Sequence, residues 1–197
     1  MKTVISIICL LMLTSCVTTN YYKTNDQTIG VDFNQGSWVL LEIQTSNGQF
    51  SDLNEKVLAD FKKLLGNRLV YAPTSKDYAF QKSLDLQPTH DKLENWSYGM
   101  KANTAINVHF QILRNDLKGA STSKHRTNAN DSRNEVLASI EIYDLETNTI
   151  IYQQGVKGLS SDEGQTEDFL LTDSLEKMLT TAYEKALKEL KKKSFVK

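Results

Sequence analysis

The sequence predicts a single α/β domain, in which helices pack on a mixed sheet of about four to five strands. Two patterns predict this class. In some segments apolar and polar residues alternate, as in strands, and in others apolar residues recur every three or four positions, as in helices. In chain order the elements are strand, helix, strand, helix, three strands and a final helix. The first strand–helix–strand unit favours a parallel crossover and the later hairpin is antiparallel, so the sheet is mixed.

The first half of the chain contains the strand–helix–strand unit. The helix can be capped by Ser51 or Asp52, its apolar residues repeat at helical spacing, and Gly66 ends it. The strands are rich in β-branched and aromatic residues and are bounded by turn signals. The three predicted elements cover residues 38–43, 51–65 and 68–71.

The second half adds one or two helices within residues 75–99, a long strand and a hairpin, and then a last helix on which leucine and alanine form one face. Between the long strand and the hairpin, residues 115–135 are strongly polar and predict a solvated loop or an extended strand connection. The predicted strands cover residues 104–113, 136–143 and 150–156, and the helix begins near residue 172.

The N-terminus has the pattern of a bacterial lipoprotein signal. Lys2 precedes a short apolar run, and the sequence Leu-Thr-Ser-Cys ends it at Cys16. The run over residues 3–13 is too short for the roughly 20 residues of a membrane-spanning helix. We therefore expect cleavage between Ser15 and Cys16, and acyl chains on Cys16 that bind membrane lipid stably.

This pattern divides the chain into three parts. Residues 1–15 are the predicted signal peptide, residues 16–35 a lipidated N-terminus with a short polar tether, and residues 36–197 the folded domain, periplasmic or on the cell surface. Val17 stands where an aspartate would retain a lipoprotein in the inner membrane. The sequence therefore favours the outer membrane and its periplasmic side, with exposure on the cell surface as the alternative.

Composition and motifs argue against several function classes. The 23 basic and 24 acidic residues give none of the positive excess expected of a nucleic-acid-binding protein. His90, His109 and His125 stand far apart, and no nucleophile, phosphate-binding or zinc motif occurs. We predict a protein that is not an enzyme, with no catalytic, cofactor or metal site.

Two segments of the sequence resemble a known protein family. Residues 140–151 resemble the "strand, Asp-Leu-x-Thr-Gly, strand" hairpin of the LpoB and CsgG group of envelope lipoproteins, and residues 101–108 resemble that group's entry to the central strand. Lys101 and His109 stand where glycine is usual, and Asn148 replaces the turn glycine, a mild change because Asn tolerates positive φ. The resemblance covers about residues 36–192 and implies the fold shared with the N-terminal domain of TolB.

The resemblance also implies two functions. LpoB-like proteins activate a bifunctional peptidoglycan synthase, a penicillin-binding protein, and CsgG-like proteins assemble into secretion channels. The expected partner is accordingly another envelope protein, with a structural or assembly subunit of a secretion or transport apparatus as the alternative. Homo-oligomers are compatible with either function.

Positive side chains in the polar loop make it the candidate partner-binding element, because binding residues concentrate on loops held by a rigid sheet. A solvated surface excursion is the alternative. A second basic cluster ends the last helix, where cations also suit the helix C-terminus. The loop residues are Lys118, Lys124, Arg126 and Arg133.

Overall fold

The computed structural model describes residues 19–28, 31–46, 50–78, 82–115, 133–161 and 174–195. Within these residues the strands are β1 (Thr19–Thr28), β2 (Trp38–Leu40), β3 (Gln44–Thr45), β4 (Leu69–Tyr71), β5 (Thr104–Asn115), β6 (Arg133–Asp144) and β7 (Thr149–Ser161). The helices are α1 (Ser51–Leu65), α2 (His90–Ser97) and α3 (Leu175–Lys193).

One mixed sheet of seven strands organises the domain, in the order β1-β7-β6-β5-β2-β4, with β3 also pairing with β5. β2 lies parallel to both β4 and β5, while β5, β6, β7 and β1 pair antiparallel in succession. The predicted α/β class with a mixed sheet is therefore confirmed, and so is the parallel strand–helix–strand unit. The number of strands is larger than the four to five expected.

Part of the difference comes from the predicted first strand, which is interrupted. β2 ends at Leu40 and pairing with β5 resumes at β3, because the Glu42 amide donates to the Lys82 carbonyl at 2.6 Å instead of to a strand. A run of apolar residues indicates that its side chains are buried. It does not indicate that a backbone amide in the middle of the run donates a hydrogen bond to a distant loop and not to a neighbouring strand.

The larger difference is β1. The sequence predicts residues 16–35 to be a tether, yet Thr19–Thr28 is a strand of the sheet, paired with β7 from Thr19 to Thr28. Its residues show no apolar alternation, so the backbone hydrogen bonds to β7 and not a buried face define the strand. The sheet thus begins only three residues after Cys16.

Both faces of the sheet carry apolar side chains. One face, packed by α1 and α3, holds the larger core, which includes Trp38, Phe110 and Tyr183. The other face holds a smaller core with Val39, Ala105 and Tyr143, covered by the chain between β4 and β5. Trp38 is buried in the larger core, at 2% exposure.

The helices match the sequence patterns unevenly. α1 is found as predicted, but it begins at Ser51 and Phe50 occupies its N-cap position without a side-chain hydrogen bond, so neither predicted capping residue acts as a cap. Among the described residues of the range 75–99, only α2 is α-helical, and Gln87, which precedes Pro88, has a φ of 50°. Ser174 caps α3 by accepting from the Lys177 amide.

The β6–β7 hairpin has the predicted turn. Asn148 adopts a φ of 53°, the left-handed conformation anticipated for this substitute for glycine. The Asp144 carboxylate accepts from the Glu146 and Thr147 amides at 2.8 and 3.3 Å, which closes the turn. Among the helices of the described ranges, none combines the length and apolar character that crossing a membrane requires.

Candidate interaction surfaces at the two ends of the sheet

The sheet has two ends that differ in composition. At one end β1 and β6 begin and β5 and β7 finish; we call it the entry end and define it by Thr19, Arg114, Arg133, Glu135 and Lys157. We define the opposite, far end by Asp32, Asn103, Glu146 and Phe195. The 12-residue strands β5 and β6 separate the ends by about 40 Å at 3.4 Å per residue.

The entry end is centred on a carboxylate surrounded by cations. Glu135 Oε1 lies 2.5 Å from Arg133 Nε, and Glu135 Oε2 lies 2.7 Å from Lys157 Nζ. The hydrogen bond from Lys157, with the charges of Lys157, Arg133 and Arg114, lowers the pKa of Glu135 against the opposing effect of its partial burial. Within the described residues, three cations thus surround this one carboxylate.

Strand register explains why these charges meet. Glu135 pairs with Arg114 on β5, and Lys157 on β7 pairs with Tyr22 on β1, so the side chains stand in adjacent rows of the sheet. Near Thr19 the side chains are no longer covered by the core, since Tyr22 is 53% exposed and Leu113 is 47% exposed. In the described part of the chain, the entry end therefore combines this cluster of paired charges with an exposed aromatic ring.

The predicted loop residues have different outcomes. Arg133 is the first residue of β6 and not a loop residue, because its backbone pairs with Ser161 of β7. Lys118, Lys124 and Arg126 lie outside the described residues, as do Ser15 and Cys16. The function of these five residues stays a prediction.

The far end is built from segments that are distant in the sequence. Asn103 Oδ1 accepts from the Ser37 hydroxyl at 2.7 Å, and Asn103 Nδ2 donates to Glu146 at 2.6 Å. The Phe195 amide donates to the Val31 carbonyl at 3.0 Å, which fastens the end of the described chain beside Asp32. A shallow cleft at this end is lined by Val31, Asp32, Gln35, Asn103, Thr104 and Glu146, among others.

The basic end of α3 also lies at the far end. Lys185 stands 5.2 Å from the centre of the Tyr21 ring, and Glu189 forms a 2.7 Å ion pair with Lys23, so α3 runs alongside β1 in the same direction. Its last turn, with Lys191, Lys192 and Lys193, therefore reaches the far end next to Phe195, which is 71% exposed. The basic residues at the end of α3 and those around Glu135 are therefore at opposite ends of the described sheet.

Sequence patterns missed a buried polar network on the second face of the sheet. Glu141, 1% exposed, accepts from the Gln87 amide at 3.1 Å, from Gln153 Nε2 at 2.7 Å and from the Tyr143 hydroxyl. Asn107 Nδ2 donates to the Leu84 carbonyl at 2.9 Å. One sequence feature could have indicated this network. Polar residues alternate with the apolar ones on β5 and β6, and their side chains face away from the main core.

This network fastens a loop to the sheet. His109 Nε2 lies 3.0 Å from the same Leu84 carbonyl, and burial lowers the pKa of His109. Burial raises the pKa of Glu141, while its hydrogen bonds from Tyr143, Gln87 and Gln153 act in the opposite direction. The contacts hold the segment around Leu84 and Gln87 on the sheet.

Replacing Glu141 with glutamine is expected to flatten the dependence of stability on pH. Because the pKa of Glu141 is raised on folding, the folded chain binds more protons above pH 4.5, the ordinary value, and stability falls as pH rises through the folded-state pKa. Urea denaturation from pH 4.5 upward would measure this slope. Glu55→Gln, at an exposed position of α1, is the control that should leave it unchanged; equal slopes for wild type and Glu141→Gln would contradict the assignment.

The described parts of the chain contain no group of three His, Cys, Asp or Glu residues placed to hold a metal ion. His90 Nδ1 lies 3.1 Å from the Asn148 carbonyl beside the hairpin turn, and His109 is in the buried network. His125 lies outside the described residues. The histidines thus serve structural contacts where their surroundings are described.

Comparison with known proteins gives similarities of architecture. No family model and no curated protein matches the chain.

Among solved structures, PelC from Paraburkholderia phytofirmans, a dodecamer, is 11% identical over 88% of this chain and 97% of its own, with a TM-score of 0.43. The LpoB C-terminal domain from Escherichia coli is 17% identical over 64% of this chain and 84% of its own, with a TM-score of 0.32. A lipoprotein from Neisseria meningitidis is 12% identical over 79% of this chain and 99% of its own, with a TM-score of 0.36. Identities and scores this low assign neither a partner nor an activity to the present chain.

Proposed function

We propose that this protein is a non-catalytic binding module of the bacterial envelope, anchored by acyl chains on Cys16 and presenting its far end to another envelope protein. The observation that supports it is the start of β1 at Thr19, three residues from Cys16. Three residues span at most about 10 Å, so an anchored chain has its entry end at the membrane and its far end directed away from it.

The far end has the features of a protein-binding surface. Phe195 is exposed there, beside a cleft and three lysines, and exposed aromatic side chains often contribute most to the affinity of an interface. A 10 Å link and a 40 Å sheet carry this end about 50 Å from the bilayer at most. We propose the periplasmic side of the outer membrane as the location and a penicillin-binding protein as the partner, the class implied by the LpoB-like hairpin.

Photo-cross-linking in intact cells tests this proposal. A photoreactive phenylalanine analogue at Phe195 is expected to form an adduct with an envelope protein that a fluorescent penicillin labels. The same analogue at Tyr22, an exposed aromatic position at the entry end, is the matched control and should not form that adduct. Adducts with the labelled protein at position 22 and none at position 195 would overturn the proposed orientation. An adduct at position 195 with a protein that penicillin does not label would overturn the partner class.

Loss of the anchor is a separate expected result. Cys16→Ala should abolish incorporation of labelled fatty acid and reduce the adduct formed at position 195, because the module no longer stays at its membrane. Fatty-acid labelling measures the first effect, and the yield of the cross-linked adduct measures the second. Full labelling of the variant would contradict acylation at Cys16.

An assembly subunit of a secretion or transport apparatus is the second candidate. Copies anchored at the same end share one orientation on the membrane, so their contacts must be lateral, and β1 and β4 are the outer strands of the described sheet. Repeated lateral contacts between different surfaces form a ring when the rotation from copy to copy closes. A ring of many copies after detergent extraction would favour this candidate, and a monomer would favour the binding module.

A further inference from the structure

We propose that residues 82–87 form a pH-sensitive strap, which is closed over the second face of the sheet while the Glu141 carboxyl is protonated and loosens when that carboxyl ionises. The strap belongs to the chain between β4 and β5, and Leu84 in its middle is buried in the smaller core. This device involves neither the anchor nor the far end. It therefore goes beyond the proposed function and does not depend on it.

Backbone contacts attach the strap to the elements around it. The carbonyl oxygens of three successive strap residues, 82 to 84, accept hydrogen bonds from other parts of the fold. Four of the described donors are amide or indole groups, whose charge does not change with pH, so these bonds hold the strap equally in acid and in base. They are the Glu42 amide at 2.6 Å, Trp96 Nε1 at 3.0 Å, Gln44 Nε2 at 3.1 Å and Asn107 Nδ2 at 2.9 Å.

Glu141 gives the strap an ionisable contact. The Gln87 amide donates to Glu141 Oε2 at 3.1 Å, and the other described donors to this carboxyl, Gln153 Nε2 and the Tyr143 hydroxyl, are also uncharged. Glu141 is 1% exposed, and residues 79–81, which precede the strap, carry no ionisable side chain. In these described surroundings an ionised carboxylate loses its hydration and gains only neutral donors, which is costly.

The pH direction follows from what the strap covers. While the strap is closed, burial raises the pKa of Glu141 above the ordinary value of 4.5, and while it is open the carboxyl faces water and its pKa returns towards that value. Opening of the strap therefore releases a proton. By linkage, closure is fully favoured below pH 4.5 and weakens as pH rises through the closed-state pKa.

His109 is a second ionisable group under the strap. Its Nε2 lies 3.0 Å from the Leu84 carbonyl oxygen, and burial lowers its pKa, against the opposing effects of that contact and of the charge on Asp85. Protonation of His109 on acidification consequently favours opening, which is the opposite pH direction to that of Glu141. A test of Glu141 must therefore compare chains that both retain His109.

Five other charged or titratable side chains near the strap are Asp85, Lys92, Tyr143, Glu42 and Lys82. Asp85 and Lys92 form an ion pair in which 73% and 53% of the side chains are exposed, and Lys92 lowers the pKa of Asp85. Burial raises the pKa of Tyr143, so its hydroxyl remains a donor. Glu42 and Lys82 meet through their backbones, and neither side chain is among the described contacts of Glu141.

Amide hydrogen exchange on the full-length chain tests the strap. The Gln87 amide reports opening directly, because it donates to Glu141. The opening constant at Gln87 in the wild type, divided by that in Glu141→Gln, should rise with pH from 4.5 and level off above the closed-state pKa, by at most about tenfold per pH unit. His109 is present in both chains, so its contribution cancels in this ratio.

A matched substitution and a matched amide serve as controls. Glu94→Gln makes the same chemical change at an exposed position of α2, and the ratio of wild type to this variant should stay constant with pH. The Leu93 amide donates to the Thr89 carbonyl at 2.9 Å at the start of α2, outside the strap, and should not show the rise.

Tyr143→Phe tests the same contact even if Glu141→Gln does not fold. The substitution keeps the ring and removes one donor to the ionised carboxylate, so the rise of Gln87 opening with pH should become larger than in the wild type. An unchanged or smaller rise in Tyr143→Phe would overturn the strap.

Three further outcomes would also overturn the strap. The first is a ratio of wild type to Glu141→Gln at Gln87 that does not change with pH. The second is an equal rise at Gln87 and Leu93, which would show opening of the whole domain. The third is an NMR titration of the Glu141 carboxyl carbon with its midpoint at the ordinary value of 4.5.

Discussion

Phe110→Ala is expected to lower the free energy of unfolding by about 3–5 kcal/mol, a large fraction of the stability of a domain of this size. Phe110 lies on the central strand β5, is fully buried, and meets Tyr183 of α3 edge to face with ring centroids 6.0 Å apart. The sheet and α3 are rigid elements, so they cannot collapse fully into the space that the ring leaves. The substitution therefore removes buried apolar area and leaves a cavity.

Urea denaturation followed by circular dichroism measures this effect. Leu113→Ala, at a 47% exposed position of the same strand, is the control and should change the unfolding free energy by less than about 0.5 kcal/mol. Because the two substitutions share one strand, their difference reports burial and not strand propensity. If Phe110→Ala lowers the free energy of unfolding by less than about 1 kcal/mol, the contact between the sheet and α3 is wrongly placed.

Gly155→Ala is expected to destabilise the domain by about 1–3 kcal/mol, through displacement of β1. A Cβ atom at position 155 would lie 2.2 Å from Thr24 Oγ1, 3.2 Å from the Thr24 carbonyl oxygen and 3.4 Å from Leu137 Cδ1. The first contact can be relieved by turning the threonine side chain, but the second involves the backbone of β1 itself. β1 must therefore move away from β7.

Hydrogen exchange localises this loss. Amide protection should fall in β1 and persist in β5 and β6, because β1 lies at the edge of the sheet. Adding Thr24→Ala removes the nearest atom and should restore part of the stability, which a double-mutant cycle would show as a favourable coupling. Uniform loss of protection over all strands, or no coupling with position 24, would contradict the close approach of β1 to Gly155.

The fold class could be predicted because the apolar residues of its main helices and strands repeat with the period of the element that they form. β5 and β6 alternate, and α1 repeats its apolar residues along one face, so burial alone determines what they form. β1 could not be predicted in this way. Its residues TNYYKTNDQT bury no continuous apolar face, and the strand exists because β7 offers an unpaired edge with glycines at positions 155 and 158.

The candidate surfaces were predictable only in part. The sequence indicates Arg133 as a candidate, but Arg114 and Lys157 belong to other strands and meet Arg133 around Glu135 through register, which the sequence does not state. Similarly, the basic end of α3 was visible as a run of lysines, whereas its position at the far end follows from contacts of Lys185 and Glu189 with β1. Long-range pairing, and not residue type, decides which charges share a surface.

The proposed attachment of the chain through β1 would also have a mechanical consequence. Antiparallel hydrogen bonds lie perpendicular to their strands, and β1 pairs with β7 from Thr19 to Thr28, with one register shift between Thr24 and Asp26. Tension between a held lipid and a partner at the opposite end of the domain would pull along β1 and load its hydrogen bonds together, in shear. A strand loaded in this way resists more force than one peeled off bond by bond, so an anchor placed here can carry load without unfolding the domain.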